Sequence, residues 1–561
     1  SIELLHYKED LINGFETIYK LLMEHKEELR QFITIFKEDK TRQVLRPTYV
    51  YALLLEGGHH PDFLQNGIDR ERLMGRLWSG LDKAMHLKKV VSAEIDDLLI
   101  GDIPYFYTKP DSKDLWTSND QQIKDYFPKD SFSQVLKRCE DLSYDDLEDQ
   151  TEIIKASLGV GNKDHEFKQV KQKNSAISSD HGASIYDDTN RGDFLDAAID
   201  IGNHLASKAI WGNDRKDVTW LGLQWMGNYS QWQYSLLDAG LYNGLSGIAY
   251  FTSYLAKETN IEKFKDLSLA ALNAALYFTQ NDQYLKNISA YQGNNSVVYT
   301  MIHLSQIWNN TDLLEQAIVE AHHLKDYIDH DKEYDVLGGV AGAIPVYLQL
   351  YNVTGDKAFL DNALHCGEHL ICNAQKTEHG YGWVNSTAHR PVVGFSHGSA
   401  GIAWSLSLLY DHTGDSSFKQ MAQQALEYER SLFLPEHNNW LDYRVPGDQQ
   451  LVGPHWCNGA PGIGISRMLM SDSFEDKQFK EEIRITTQLT KEMINDSHCL
   501  CHGDLGNLLF LQFAAAKSND SSLQKMVDLK AQHILKTIES VSDWECGSIP
   551  GVQMPGLMLG L

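Results

Sequence analysis

A short glycine pattern recurs along this chain and limits its fold more than any other feature. Aligned on a first glycine, the copies read LYNGLSGI at Gly244, AYQGNNSV at Gly293, VLGGVAGA at Gly339, FSHGSAGI at Gly398, WCNGAPGI at Gly459 and LCHGDLGN at Gly503. MLGL at Gly560 opens a seventh copy, inside which the chain stops. The spacing, about 44 to 61 residues, indicates a repeat architecture. Ser296 stands in the second copy where the others have a second glycine. Glycine suits a tight turn or a close backbone approach at the head of a helix. Each motif opens an apolar stretch such as AGIAWSLSLLY (400–410) or LGNLLFLQFAAA (505–516). A more amphipathic stretch follows, such as FKQMAQQALEYERSLF (418–433) or KEEIRITTQLTKEMI (480–494). A helix that is apolar all round is buried, while one with a polar stripe faces water. The expectation is an all-α fold of helical hairpins closing into a ring, with the loops that open the inner helices converging on one end.

Three residues in those loops have the makings of a zinc site: Cys457 in the fifth motif, Cys501 and His502 in the sixth. Two thiolates and an imidazole leave the fourth tetrahedral position open, as a catalytic zinc requires and a closed structural site does not. Both fragments occupy the same phase of the repeat, so the ring should bring them together. His397 lies in the equivalent loop of the fourth motif. A lone cysteine is usually core packing, the reading for Cys139, Cys366, Cys372 and Cys546. Cys499, two residues before Cys501, could compete for the metal. Trp383, Trp440 and Trp456 are first of all core or rim packing, with a peptide groove as the secondary reading.

The chain has 561 residues and a net charge of −27, enough length for two or more domains. Nucleic acid and anionic membrane surfaces both call for basic clusters, so this charge argues against either partner. No stretch approaches the 18 or so apolar residues of a membrane span, and SIELLHYKED has no signal-peptide core. Seven cysteines without a secretory signal favour a reducing compartment, and the expectation is a cytoplasmic protein. The first residue is not Met and the end interrupts a repeat, which suggests a piece of a longer chain.

Composition divides the sequence at 159–190, a polar stretch read as linker or mobile loop. The repeat region, 191–561, opens with FLDAAIDIGNHLASKAIW (194–211) as the first outer helix. Residues 1–158 read as a mostly helical lobe. One long amphipathic helix is expected over 11–33, a strand or turn around Pro47 before another helix, and a closing helix over 142–158 capped by Ser143. His59 and His60 read as turn residues before Pro61.

The repeat set, with SHG, WCNG and CHG in that order, resembles the lanthionine cyclase domain, an α/α toroid of seven helical-hairpin repeats. RPTYVY (46–51), HHPDFL (59–64), DRERL (69–73) and GDIPYF (101–106) resemble the C-terminal end of the kinase-like dehydratase of class II lanthionine synthetases. Dehydratase followed by cyclase is the order in those bifunctional enzymes, which modify ribosomal precursor peptides. The resemblance implies zinc as cofactor, a Ser/Thr/Cys-rich precursor peptide as substrate and an export transporter as a further partner. ATP and Mg are implied only for the full-length dehydratase, because residues 1–41 contain no glycine-rich phosphate loop or metal-binding Asp/Asn cluster. Asp335, in EYDVLGG, matches an active-site aspartate of the family. Arg42 and Thr48 match the pair that eliminates phosphate from phosphorylated Ser/Thr. Two positions depart from the family: Asn458 stands where many cyclases have His or Tyr, and Gly453 where a stand-alone member has Arg.

The implied reaction adds a peptide cysteine to dehydroalanine or dehydrobutyrine, giving a thioether ring. A free thiol is mostly protonated at neutral pH, and coordination to zinc would deprotonate it. The resulting enolate needs a positioned acid, for which His397 is the candidate and Asp335 its orienter. Two alternatives compete. α/α toroids also host glycosidases, but these need a carboxylate pair flanking the sugar bond, whereas the loops here carry Cys and His. A non-catalytic peptide-binding scaffold would not need the three ligands and His397 together.

Overall fold

In five copies the helix begins immediately after the repeat glycine: Leu245–Thr259, Val340–Thr354, Ser399–Thr413, Ala460–Leu469 and Asp504–Ser518. These are the inner helices of the expected ring. The computed structural model describes residues 7–81, 84–160, 191–226, 231–280, 287–386, 388–444, 451–470, 474, 477–492, 497–541 and 554–560. Each repeat glycine is the N-cap, and three residues later the second glycine has no room for a side chain. A Cβ on Gly401 would lie 1.9 Å from the Phe395 carbonyl oxygen, and one on Gly506 1.9 Å from that of Leu500. Gly247, Gly342 and Gly462 meet the carbonyl six residues back in the same way. The first turn of each helix thus rests on the backbone that leads into it. The second copy enters its helix differently. Asn295–Trp308 starts one residue later, from an N-cap Asn294 with helical backbone (φ −65°, ψ −27°), and Ser296 is accommodated there.

The outer helices are Glu262–Gln280, Thr311–Leu324, Lys357–Asn373, Ser416–Ser431, Lys477–Glu492 and Ser521–Val541, with Arg191–Ser207 preceding the first motif. A second local device turns inner into outer helix. Asn260, Asn309, Gly355, Gly414 and Asn519 end inner helices in the left-handed conformation. Asn310, Asp356 and Asp415 then cap the next helix by accepting backbone N–H groups, and Asp520 does the same for Ser522 and Leu523. Hairpins so made share a core containing Trp220, Tyr347, Phe359 and Phe510.

The ring closes through its loops. Two residues before each repeat glycine stand Tyr242, Tyr291, Leu337, Ser396, Cys457, Cys501 and Met558. Tyr242 N–H donates to Tyr291 O (2.9 Å), Leu337 N–H to Ser396 O (3.0 Å) and Ser396 N–H to Cys457 O (2.7 Å). Trp456 N–H donates to Cys501 O, Cys501 N–H to Met558 O and Met558 N–H to Tyr242 O, each at 2.9 Å. The second and third loops meet where Gly342 faces the Ala290 methyl group. The last motif therefore bonds to the first, and residues of equal phase form one layer around the axis.

Residues Ile2–Lys155 form a separate unit. Its helices include Lys8–Glu24, Lys26–Phe32, Thr48–Gly57, Pro61–Leu64, Gly67–Met74, Val91–Ile100 and Ser131–Asp141. The single helix expected over 11–33 is broken at His25, whose backbone leaves the helical region (φ −112°, ψ 35°). The lobe also contains a four-stranded antiparallel sheet of Thr41–Gln43, Phe106–Thr108, Leu115–Thr117 and Gln122–Ile123, in which Arg42 pairs with Tyr107. Strands this short leave little alternation to read. Tyr144–Val160 is helical and its start is capped by Ser143, whose hydroxyl accepts Asp146 N–H (3.1 Å). His60 caps Pro61–Leu64, in keeping with its reading as a turn residue. The linker expected over 159–190 lies, from 161 onward, outside the described residues. No helix among the described residues is long and apolar enough to cross a membrane.

Candidate active site

The loop layer sets His397 beside Asp335. Their motifs are adjacent in the ring, and His397 Nδ1 hydrogen-bonds Asp335 Oδ2 at 2.9 Å. Asp335 is 1 % exposed and its other oxygen, Oδ1, accepts the Gly338 N–H at 2.6 Å. Asn385 Nδ2 donates to Asp335 Oδ2 (2.8 Å) and to the His397 carbonyl (3.2 Å), tying acid and imidazole backbone together. Burial works against a charged His397, but the charge and hydrogen bond of Asp335 outweigh it and raise the imidazole pKa above its ordinary value. The side chain remains 20 % exposed, within reach of a substrate.

One motif further round, the Cys457 and Cys501 side chains are hydrogen-bond partners. That contact holds the Cys457 thiol well below its ordinary range, against the effect of burial and with help from the nearby His455, Arg444 and His502. Tyr242, at the same phase in the first motif, donates its hydroxyl to Cys501 Sγ at 2.8 Å. The His502 imidazole hydrogen-bonds Cys499, which is 1 % exposed, and its ring centre lies 6.2 Å from that of His455. Among the described residues, no three His, Cys, Asp or Glu side chains converge as a metal-holding group. The donor chemistry nevertheless fits zinc: two soft sulfurs in contact, with an imidazole one residue from the second.

Other expectations sort by burial. Trp383, Trp440 and Trp456 are all buried, as core packing requires, and Trp456 packs against the Tyr291 and Phe395 rings. Cys139 and Cys366 are buried but Cys372 is exposed, and Cys546 lies outside the described residues. Arg42 and Thr48 are both exposed, in the unit preceding the toroid. The anchored arginine there is Arg46, which pairs with the fully buried Glu94 at 2.8 Å, and Tyr51 donates to the same carboxylate oxygen. Sequence reasoning missed Tyr242, Asn385 and His455. Tyr242 had a signal, since it shares the phase of Cys457 and Cys501. Asn385 and His455 belong to connecting backbone outside the repeat and had none.

The family model for lanthionine synthetase C-like proteins matches residues 235–561, more than half of the chain. The chain belongs to the lanthionine synthetase C-like family. A model described as a domain of unknown function (DUF4135) matches residues 1–109, ahead of the lanthionine synthetase C-like match. The lacticin 481/lactococcin biosynthesis protein LcnDR2 of Lactococcus lactis subsp. lactis is 25% identical over 579 residues, covering 99% of this chain. The chain spans 58% of the length of that relative. Among solved structures, a nisin cyclase has 16% identity and a TM-score of 0.47, over 58% of this chain and 86% of the other. An unsaturated glucuronyl hydrolase from Streptococcus agalactiae has 13% identity and a TM-score of 0.37, over 55% and 80%. The membership and the fold agree: this lanthionine synthetase C-like chain is an α/α toroid preceded by a second unit.

Proposed function

We propose that the toroid is a zinc-dependent lanthionine cyclase acting on a dehydrated ribosomal precursor peptide. In this reading Cys457, Cys501 and His502 hold the metal, and His397 and Asp335 manage the proton. The observation that carries it is the shared loop layer, in which a carboxylate-bound imidazole lies one motif away from two touching cysteine sulfurs. Zinc bound there would supply the Lewis acidity that keeps a substrate thiol ionised at neutral pH. His397 stands by as acid: the C–S bond forms, the alkene π pair becomes an enolate, and a proton delivered to the α-carbon completes the ring. Asp335 holds Nδ1 and so leaves proton transfer to Nε2, while Asn385 fixes the carboxylate in turn. The balance is an addition, in which the thiol proton ends on carbon and nothing leaves.

The preceding unit extends the proposal to a longer protein, since the chain spans only part of its relative. There Arg42 and Thr48 would eliminate phosphate after an ATP- and Mg-dependent transfer made elsewhere. Their exposure leaves both side chains open to a phosphorylated peptide. A cytoplasmic location and hand-over to an export transporter complete the reading. In the longer protein, Arg42→Ala or Thr48→Ala is expected to accumulate phosphorylated peptide, seen by mass spectrometry. Unmodified peptide alone would remove the pair from elimination.

Metal analysis tests the cyclase site. About one zinc per chain is expected, as for a single site of this kind. Cys501→Ala should lose it together with ring closure. Full metal in Cys501→Ala would reject the ligand set and point to Cys499.

A further inference from the structure

The loop carrying His397 is anchored from behind by a buried chain of ion pairs. Glu429, at the end of the outer helix Ser416–Ser431, is fully buried and accepts the Gly394 N–H on Oε2 at 3.2 Å. Its Oε1 accepts from Arg467 Nη2 at 2.5 Å. Arg467, 1 % exposed near the end of the inner helix Ala460–Leu469, also binds Glu482 through Nε at 2.9 Å. Glu482 is held from its other side by Arg430, at 2.6 and 3.2 Å. Two acids and two bases alternate across three helices, so the buried group is electrically balanced. Each arginine also lies within 6 Å of the Phe479 ring.

Gly394 is where this chain reaches the site. It has φ +100°, and a Cβ there would lie 2.6 Å from Asn458 Cα and 3.1 Å from the Cys457 carbonyl oxygen. Two residues later Ser396 N–H binds that same Cys457 oxygen at 2.7 Å, and His397 follows. The backbone from Gly394 to Ser396 is therefore clamped at both ends, by Glu429 and by the Cys457 carbonyl, and the clamped segment delivers the imidazole.

We propose that Glu429, oriented by Arg467, is a positioning residue for ring closure: it fixes the Gly394–His397 loop against the Cys457 peptide and so sets the distance from His397 to the reacting carbon. This rests on the cyclase reading above. Deleting one partner of a buried pair strands a charge and destabilises the fold, so the test replaces partners together. Glu429→Leu with Arg467→Met removes the acceptor for Gly394, and Glu482 keeps Arg430. Glu429→Gln with Arg467→Met is equally uncharged but keeps an acceptor facing Gly394.

Both double variants are assayed on a dehydrated cysteine-containing peptide, with zinc content and melting temperature measured alongside. The Leu/Met variant should lose about 10–100-fold in kcat, the scale of a misplaced catalytic group, with KM and zinc unchanged. The Gln/Met variant should stay within about threefold of the parent, because its acceptor survives. Equal kcat in the two variants overturns the proposal. Hydrogen exchange on the unaltered protein gives a readout independent of variant folding: Gly394 N–H should be protected like a core-helix amide, and exchange at the rate of an open loop also overturns it. His397→Asn serves as the control. If the parent protein closes no ring, the cyclase reading itself has failed. If His397→Asn closes rings normally, His397 has no part in the chemistry and the Glu429 proposal falls with it. If His397→Asn is slow while the two double variants match, only the Glu429 proposal has failed.

Discussion

Two opposing effects meet on the His397 imidazole: burial disfavours its charge, and Asp335 favours it more strongly. The net upward shift favours the protonated ring, the state an acid needs before it protonates an enolate. His397→Asn should therefore leave zinc in place and slow ring closure by about 10²–10⁴-fold, the usual scale for a lost general acid. Loss of zinc in that variant would make His397 a ligand or a support. The shift also has a consequence for stability. A histidine with a raised folded pKa stabilises the fold fully below its unfolded value, near 6.5, and loses that contribution as pH rises through the folded value. Asp335→Asn should flatten this decline in denaturant titrations and move the alkaline limb of the cyclisation rate to lower pH. An unchanged limb would separate the Asp335 hydrogen bond from the chemistry. The pairing could be anticipated only through family resemblance, because 62 residues separate the partners and nothing local marks Asp335 as more than a helix-proximal acid.

The elements repeat one device, and it can be tested one glycine at a time. Gly414 ends an inner helix at φ +72° in open space, so Gly414→Ala should cost only the left-handed penalty, about 1–2 kcal/mol. Gly401 has an ordinary helical position but no space, with a carbonyl oxygen 1.9 Å from where its Cβ would stand. Gly401→Ala should cost clearly more, because the backbone of the His397 loop must move. Chemical denaturation of the two variants measures the difference, and a smaller loss at Gly401 would contradict the packing argument. The inner and outer helices were legible because glycine phase and apolar periodicity agree in AGIAWSLSLLY and FKQMAQQALEYERSLF. The turns between them had a signal that went unread: TGD at 354–356 and 413–415 supplies a left-handed glycine and then an aspartate cap. Short strand pairs such as Gln375–Lys376 with Tyr381–Gly382 were beyond reading, since two residues define no period. His25 likewise broke an expected helix without a proline or glycine to announce it.

At the scale of the molecule, the loop layer explains how cysteines 44 residues apart become neighbours: backbone hydrogen bonds between adjacent motifs draw equal phases together, and one of them closes Met558 onto Tyr242. The repeat predicted that convergence, while the anchoring chain from Glu429 to Arg430 depends on contacts between outer and inner helices that no single motif encodes. The most direct measurement is a count of free thiols. A dehydrated peptide with one cysteine is incubated with the zinc-loaded protein, treated with an alkylating reagent and weighed by mass spectrometry. Ring closure leaves the peptide mass unchanged and removes its alkylatable thiol, so a cyclase should yield unalkylated product of starting mass, lost in Cys457→Ala. A peptide that remains fully alkylatable after incubation with zinc-loaded protein would contradict the cyclase reading.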